Sequence, residues 1–148
     1  MRKYYSDDNG YIERSQWQHG FWLSVTRPDE DDTHFILDKL HVPPMFLEYL
    51  GDPEELPRVE REDDWLMLIL LIPVECTEEA DMPFKTVPFG IITRGDGILI
   101  TLCYHDNVIV EDFVKLSRKK CIRTVNKADF TLRIFYQTAF WYLHSYLH

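Results

Sequence analysis

One uninterrupted apolar run, residues 65–74 with the sequence WLMLILLIPV, constrains the fold of this chain more than any other feature. The run is too short for a membrane-spanning helix, which needs about 20 residues. It is also short for a core helix, and Pro73 is expected to end the segment. A continuous run of this kind is typical of a central strand that is covered on both faces. The sequence therefore predicts a sheet enclosed between other layers.

Shorter apolar segments predict the other strands of this sheet. Residues 21–26 form one buried strand between polar residues. Residues 84–93 and 97–103 are joined by RGDG, which is typical of a hairpin connection. The turn sequence SDDNG at 6–10 separates two weaker segments, 2–5 and 11–13, which would pair as a second hairpin.

Capping residues and helix breakers predict helices between these strands. Pro28 followed by four acidic residues favours a helix start, because acidic side chains complement the dipole at a helix N-terminus. Asn107 is a good capping residue for a later helix. The predicted helical spans are 27–40, 45–50, 107–120 and 127–148.

These elements predict an α/β fold, with a mixed parallel and antiparallel sheet sandwiched between helical layers. Residues 52–64 are predicted as a charged linker and residues 75–83 as an acidic loop. We divide the chain into an α/β domain over 1–126 and a final helix over 127–148.

The final helix carries apolar and aromatic residues on more of its circumference than one buried face needs. They recur at helical spacing and also on the other faces: Phe130, Ile134, Phe135, Tyr136, Ala139, Phe140, Trp141, Tyr142, Leu143, Tyr146 and Leu147. Two interpretations are open. One face packs on the sheet and the rest is incidental, or the helix is truncated and packs against other copies of the chain. We favour the second, because no glycine, proline or asparagine ends the helix.

The charge balance excludes an extended nucleic-acid surface. The chain has 25 acidic and 16 basic residues, a formal net charge of −9, and phosphate binding needs clustered lysine and arginine. The basic cluster Arg118, Lys119, Lys120 and Arg123 is interpreted as a solvated helix end. Three widely spaced cysteines and the lack of a signal peptide favour a reducing, intracellular setting.

Motifs for catalysis are missing from the sequence. There is no GxSxG elbow, no glycine-rich phosphate loop and no HExxH pair, so we do not expect an enzyme. His144 and His148 have metal-capable spacing, but the helix end would fray around them. Carboxylates are the more informative class: they cluster at 29–32 and again between Glu48 and Asp64. Hard cations such as Mg²⁺ need only one or two carboxylates and keep several waters.

Five segments in order resemble the soluble domain of CorA-type divalent-cation transporters. They are FWLSVTRP at 21–28 followed by acids, LHVP and FLE at 40–43 and 46–48, DPEELPRVEREDD at 52–64, VPFGII and ILIT at 87–92 and 98–101, and the helix from Lys127. Together they cover nearly the whole chain.

This resemblance implies a cytoplasmic regulatory domain that senses divalent cations and gates a pore, rather than an enzyme. It implies a pentamer at the cytoplasmic face of the membrane, with two transmembrane helices and a Gly-Met-Asn motif beyond His148 and the final helix as the start of a long stalk. The family transports Mg²⁺, Co²⁺ or Ni²⁺, and a related branch moves Zn²⁺. Mg²⁺ is the expected regulatory ion, with the other three left open.

The resemblance also implies where a regulatory Mg²⁺ would bind, between neighbouring subunits. One member supplies a Glu-Asp pair on the short helix and an Asp on the early stalk helix. Glu48 matches the first position, but Tyr49 follows it, and the stalk position falls at Gln137. We therefore predict Glu48 as a metal ligand, with Asp52, one helical turn further on, as a substitute partner.

Two other function classes remain open. A stand-alone soluble ligand-binding or protein-interaction module could share this fold. A metal-dependent hydrolase is the weaker possibility, because the sequence shows no closed set of ligands.

Overall fold

The computed structural model describes residues 1–76, 84–124 and 126–146 of the chain. In these ranges seven strands form one sheet in the order β2-β1-β3-β7-β6-β5-β4. In chain order the strands are β1 (Arg2–Asp7), β2 (Tyr11–Arg14), β3 (Trp22–Thr26), β4 (Arg58–Glu62), β5 (Trp65–Glu75), β6 (Phe84–Arg94) and β7 (Ile98–Cys103). The helices are α1 (Glu30–His34), continued by a π-helical turn (Phe35–Lys39), then α2 (Pro44–Gly51), α3 (Ile109–Lys119) and α4 (Lys127–Tyr146).

Strands β3 and β7 run parallel at the centre of the sheet, with Leu23 opposite Ile100. The other neighbouring strands are antiparallel, and both predicted hairpins are present. The Trp22 indole Nε1 donates a hydrogen bond of 2.9 Å to the Thr101 hydroxyl and so ties the two parallel strands together. The prediction of a mixed sheet is confirmed.

The apolar run forms β5, which has core residues on both faces as predicted. Its odd-numbered core residues pack towards α1 and α2 and its even-numbered ones towards α3 and α4: Trp65, Met67 and Ile69 on one side, Leu70, Ile72 and Val74 on the other. The expectation that Pro73 ends the strand is wrong, because β5 continues to Glu75. Strand β4 pairs with β5 only as far as Ile69, so Pro73 lies on an edge of the described sheet, where proline is tolerated.

Helices cover both faces of the sheet. Ile36, Phe46 and Leu50 from the first two helical segments are buried on one face. Phe113 of α3 and Phe130 of α4 are buried on the other. The α/β fold with a sheet between helical layers is therefore confirmed.

An aromatic cluster fixes α3 and α4 to the sheet. The Trp22 ring lies 4.8 Å from the Tyr5 ring and 4.9 Å from the Phe130 ring, measured between centroids. Phe113 packs against Phe130 edge to face at 5.5 Å. Such tilted aromatic pairs are favourable beyond their buried area.

The prediction of a charged linker over 52–64 is wrong in part, because β4 lies within it. Val59 pairs with Leu68 and Glu60 with Met67 in an antiparallel ladder. Backbone hydrogen bonds to β5 hold this strand, and its charged side chains are typical of a sheet edge. Of the predicted acidic loop over 75–83, Glu75 ends β5, and residues 77–83 lie outside the described residues.

Helix α4 shows features of both interpretations of the final segment. Phe130 and Ile134 are buried in the core that α3 shares, so one face packs on the sheet. Leu132, Tyr136 and Phe140 remain 68%, 74% and 58% exposed. An apolar surface is therefore left that other copies could cover. The domain boundary at 126/127 and the stalk assignment stay predictions.

Leu50 of α2 packs directly against Gly90 of β6. A Cβ atom at this position would lie 2.5 Å from Cδ1 of Leu50, and Leu50 itself is only 1% exposed. The missing side chain therefore lets the α2 layer sit on the sheet.

We expect Gly90→Ala to lower the free energy of unfolding by about 1–3 kcal/mol, because the core is overpacked. Leu50→Ala should cost about 2–5 kcal/mol. The double variant should cost less than the sum, since the smaller side chain makes room for the new Cβ. Urea denaturation of the four proteins measures this coupling.

Gly95→Ala is the matched control, because a Cβ there meets nothing within 4 Å. If the two losses are additive in the double variant, the contact with Leu50 is not what restricts the size of the side chain at position 90.

Candidate metal centre

Glu48 and Asp52 lie at the C-terminal end of α2, on its solvent side. The helix begins at Pro44, a position where the missing N–H of proline is harmless. Phe46, Leu47 and Leu50 point into the core. Glu48 is therefore left on the outer face, and both it and Asp52 are exposed.

The carboxylate of Asp52 is partly engaged by its own turn. Its Oδ1 accepts a hydrogen bond of 2.9 Å from the backbone N–H of Glu54. The backbone N–H of Asp52 donates to the Tyr49 carbonyl at 3.2 Å, which closes the helix. This arrangement fixes the direction of the Asp52 side chain just beyond the last turn of α2.

The positive charge of Arg58 lies within the neighbouring acidic segment, which the sequence analysis did not predict. Arg58 forms ion pairs with Glu55 and with Glu60, the latter at 2.6 Å between Nε and Oε1. Its guanidinium carbon lies 4.6 Å from the centroid of the Tyr49 ring. The resemblance predicts an acidic residue at position 49. Tyr49 stands there instead, and its ring packs against the guanidinium of Arg58. An arginine alternating with glutamates in the sequence RVERE was the available signal.

Gln137 lies on the opposite face of the sheet from Glu48. Its side chain is 9% exposed and lines a cleft between α3 and α4. Helix α2 packs on the other face. Glu48 and Gln137 of one protomer are therefore separated by the sheet and cannot bind the same ion.

The first acidic cluster, residues 29–32, caps the N-terminus of α1. Asp29 and Asp32 form a reciprocal capping box, with hydrogen bonds of 2.8 and 3.1 Å. Asp32 also pairs with the Met1 ammonium at 3.0 Å and with Arg2 at 3.7 Å. Burial alone would raise the pKa of Asp32, but the hydrogen bond from Asp29 and the Met1 ammonium hold that pKa below its ordinary value. This cluster stabilises the helix.

The remaining titratable candidates form no closed site. Among the described residues, no group of three or more histidine, cysteine, aspartate or glutamate side chains could hold a metal ion. Burial raises the pKa of the Cys103 thiol to about 11, so it stays protonated at neutral pH. His144 stacks on Phe140 with 6.0 Å between ring centroids, and His148 lies outside the described residues. No described helix is long and apolar enough to cross a membrane.

Comparison with known proteins relates the sequence and the fold of this chain to one family. The family model described as CorA-like Mg²⁺ transporter protein matches residues 17–144. The complete CorA magnesium transporter from Methanocaldococcus jannaschii is 18% identical, with a TM-score of 0.71 over 93% of this chain and 44% of that one. The ZntB cytoplasmic domain from Vibrio parahaemolyticus is 17% identical, with a TM-score of 0.68 over 97% of this chain and 60% of that one. No curated protein sequence matches significantly.

At 15–18% identity, the TM-scores to these solved structures show a common fold alone. The chain spans 55% of the soluble domain of the Methanocaldococcus jannaschii protein, with a TM-score of 0.68 and 15% identity. It therefore covers about half of the length of the structures it matches.

Removing the positive charge of Arg58 next to α2 should destabilise the domain. We expect Arg58→Met to lower the free energy of unfolding by about 1–2 kcal/mol, because Glu55 and Glu60 lose their counterion while half-buried. Arg61→Met, on the same strand but exposed, should change it by less than about 0.5 kcal/mol. Equal losses in both variants, measured by urea denaturation, would contradict a specific role for Arg58.

The Asp32 carboxylate should make stability depend on pH. A carboxyl group with a lowered pKa stabilises the fold above its ordinary pKa, and the contribution is lost as the pH falls through the folded-state pKa. Asp32→Asn should therefore cost about 1–2 kcal/mol at pH 7. The difference from wild type should shrink below about pH 4. Thermal unfolding between pH 3 and 7 measures it, and a constant difference would rule out this linkage.

Proposed function

The chain belongs to the family of CorA-like Mg²⁺ transporter proteins, and we propose from this premise that it is the cytoplasmic regulatory domain of a divalent-cation transporter. Its role is to sense cations and to gate a pore that lies elsewhere in the same polypeptide. The observation that carries the proposal is an α/β soluble domain of the CorA type whose α2 ends in exposed carboxylates.

The length of the relatives supports a separate pore. The chain covers 44% of the complete CorA transporter from Methanocaldococcus jannaschii. The part of that transporter beyond the match has room for membrane-spanning helices of about 20 residues each. We propose that this protein has a corresponding pore after residue 148, which places the domain at the cytoplasmic face of the membrane.

Electrostatic repulsion between protomers is the proposed basis of sensing. Each copy of the chain has a formal net charge of −9, so copies brought together by a shared pore repel each other. A divalent cation held between carboxylates of adjacent copies offsets this repulsion and favours the closed assembly. When the ion leaves, the protomers move apart.

Glu48 and Asp52 are the proposed ligands on one side of this interface. Both are exposed on the outer side of α2, and oxygen ligands with retained water suit Mg²⁺. Co²⁺, Ni²⁺ or Zn²⁺ could be the regulating or transported ion in its place. Because the α4 face lies across the sheet from Glu48, α4 of the same copy supplies no ligand, and we propose that another copy supplies one beside the retained waters. A homo-oligomer, a pentamer by the family resemblance, provides that copy.

Arg58 tunes this surface in the proposed function. It pairs with Glu55 and Glu60, which follow the α2 terminus, and its single charge offsets one of their two negative charges. Glu48 and Asp52, which form no ion pair within the described part of the chain, remain available to an added cation. A single well-placed ion can then change the interaction between two copies.

Mg²⁺ should stabilise the 148-residue domain through these carboxylates. At about ten times the dissociation constant, binding adds about 1.4 kcal/mol to the free energy of unfolding. This corresponds to a rise of about 4 °C in Tm. We expect Glu48→Gln with Asp52→Asn to abolish the rise and any Mg²⁺-dependent association, measured by calorimetry and sedimentation velocity.

Asp8→Asn with Asp31→Asn is the control, since it removes two exposed carboxylates that lie outside α2, one in the turn after β1 and one in α1. An unchanged Mg²⁺ response in the Glu48 and Asp52 variant would refute the assignment of these ligands.

A further inference from the structure

A cleft of about 540 Å³ lies between α3 and the first half of α4. Phe113 and Leu116 of α3, together with Ile122, contribute apolar walls, and Tyr136 of α4 stands beside them. Sites for small organic molecules typically have volumes of about 300–1,000 Å³ and mostly apolar walls with a few polar groups. The cleft has the size and lining of such a site.

The side-chain amide of Gln137 is the polar group inside this cleft. Its side chain is nine-tenths buried, and no side chain or backbone group in the described part of the chain forms a hydrogen bond with its amide. The neighbouring Thr138 hydroxyl, by contrast, donates to the Ile134 carbonyl at 2.8 Å. Buried amides almost always have a partner, because an unpaired one is costly. An occupant of the cleft would supply the partner that the chain does not.

Positive charge surrounds the cleft, although the chain as a whole is acidic. Lys120 and Arg133 line it directly, against one carboxylate, Asp129, which pairs with Arg133 at 3.2 Å. Lys119 and Arg123, which are close to Lys120 in the sequence, are also exposed. Against a formal net charge of −9, this local excess attracts an anion.

We propose that the cleft binds a small anionic amphiphile, a carboxylate with a hydrocarbon body of medium-chain fatty acid size. The hydrocarbon body covers Phe113 and Leu116, and the carboxylate lies towards Lys120 and Arg133. The Gln137 amide donates a hydrogen bond to a carboxylate oxygen. This site lies on the other face of the sheet from the α2 carboxylates of the same chain, so the two sites share no side chain within one copy.

The test is calorimetric titration of the domain with sodium octanoate and with 1-octanol, in buffer containing EDTA. The two probes share their hydrocarbon chain and differ in charge. We expect octanoate to bind about tenfold more tightly, because charge-assisted hydrogen bonds are stronger than neutral ones. Since no divalent cation is present, the result does not depend on the proposed cation sensing.

Two variants locate the interaction. Gln137→Leu keeps the size of the side chain and removes the amide, and it should weaken octanoate binding about fivefold or more. Lys120→Met should weaken octanoate binding about as much and leave 1-octanol unchanged. Lys119→Met is the matched control, because it loses the same charge on the adjacent residue and does not line the cleft. Lys120 and Lys119 are exposed, so both lysine variants should fold.

Three results would overturn the proposal. The first is equal affinity for octanoate and 1-octanol. The second is an equal effect of Lys120→Met and Lys119→Met on octanoate binding. The third is a stable dimer in sedimentation with no octanoate binding, which would assign the cleft to a second copy of the chain.

Discussion

The parallel pairing of β3 with β7 organises the domain. It joins an antiparallel group, β2-β1-β3, to another, β7-β6-β5-β4. Leu23 and Ile100 are wholly buried on one face of this junction, and Trp22 is buried on the other. Parallel pairs need cover on both faces, so helices must lie on each side of the sheet. The carboxylates on α2 and the cleft beside α4 are kept apart for the same reason.

Features set by local composition could be predicted from the sequence, and those set by pairing could not. The apolar run predicted β5, and Pro28 with the acidic residues after it predicted α1. Strand β4 was missed because its charged side chains resemble a linker, while backbone hydrogen bonds to β5 hold it in place. Pro73 was expected to end the strand. It does not, because no described β4 residue pairs with it, so the missing N–H of proline breaks no hydrogen bond with β4.

The candidate sites show the same division. Glu48 was identified from a resemblance and Asp52 from its position one turn further on, and their exposure agrees with a surface role. The ion pairs of Arg58 with Glu55 and Glu60 are local, and the sequence RVERE held a signal for them. The burial of Gln137 could not be read from residue spacing, because it depends on how α4 packs beside α3. The acidic cluster at 29–32 resembled a cation site, yet Asp29 and Asp32 cap a helix. Carboxylate clusters become informative only when their partners are known.

The central claim is that this domain regulates a pore in the same polypeptide. The most direct measurement is the sequence of the encoding gene downstream of codon 148. The account predicts an open reading frame that encodes two apolar segments of about 20 residues each, with Gly-Met-Asn at the pore. A stop codon shortly after codon 148 would contradict it and would favour a stand-alone binding module with the same fold.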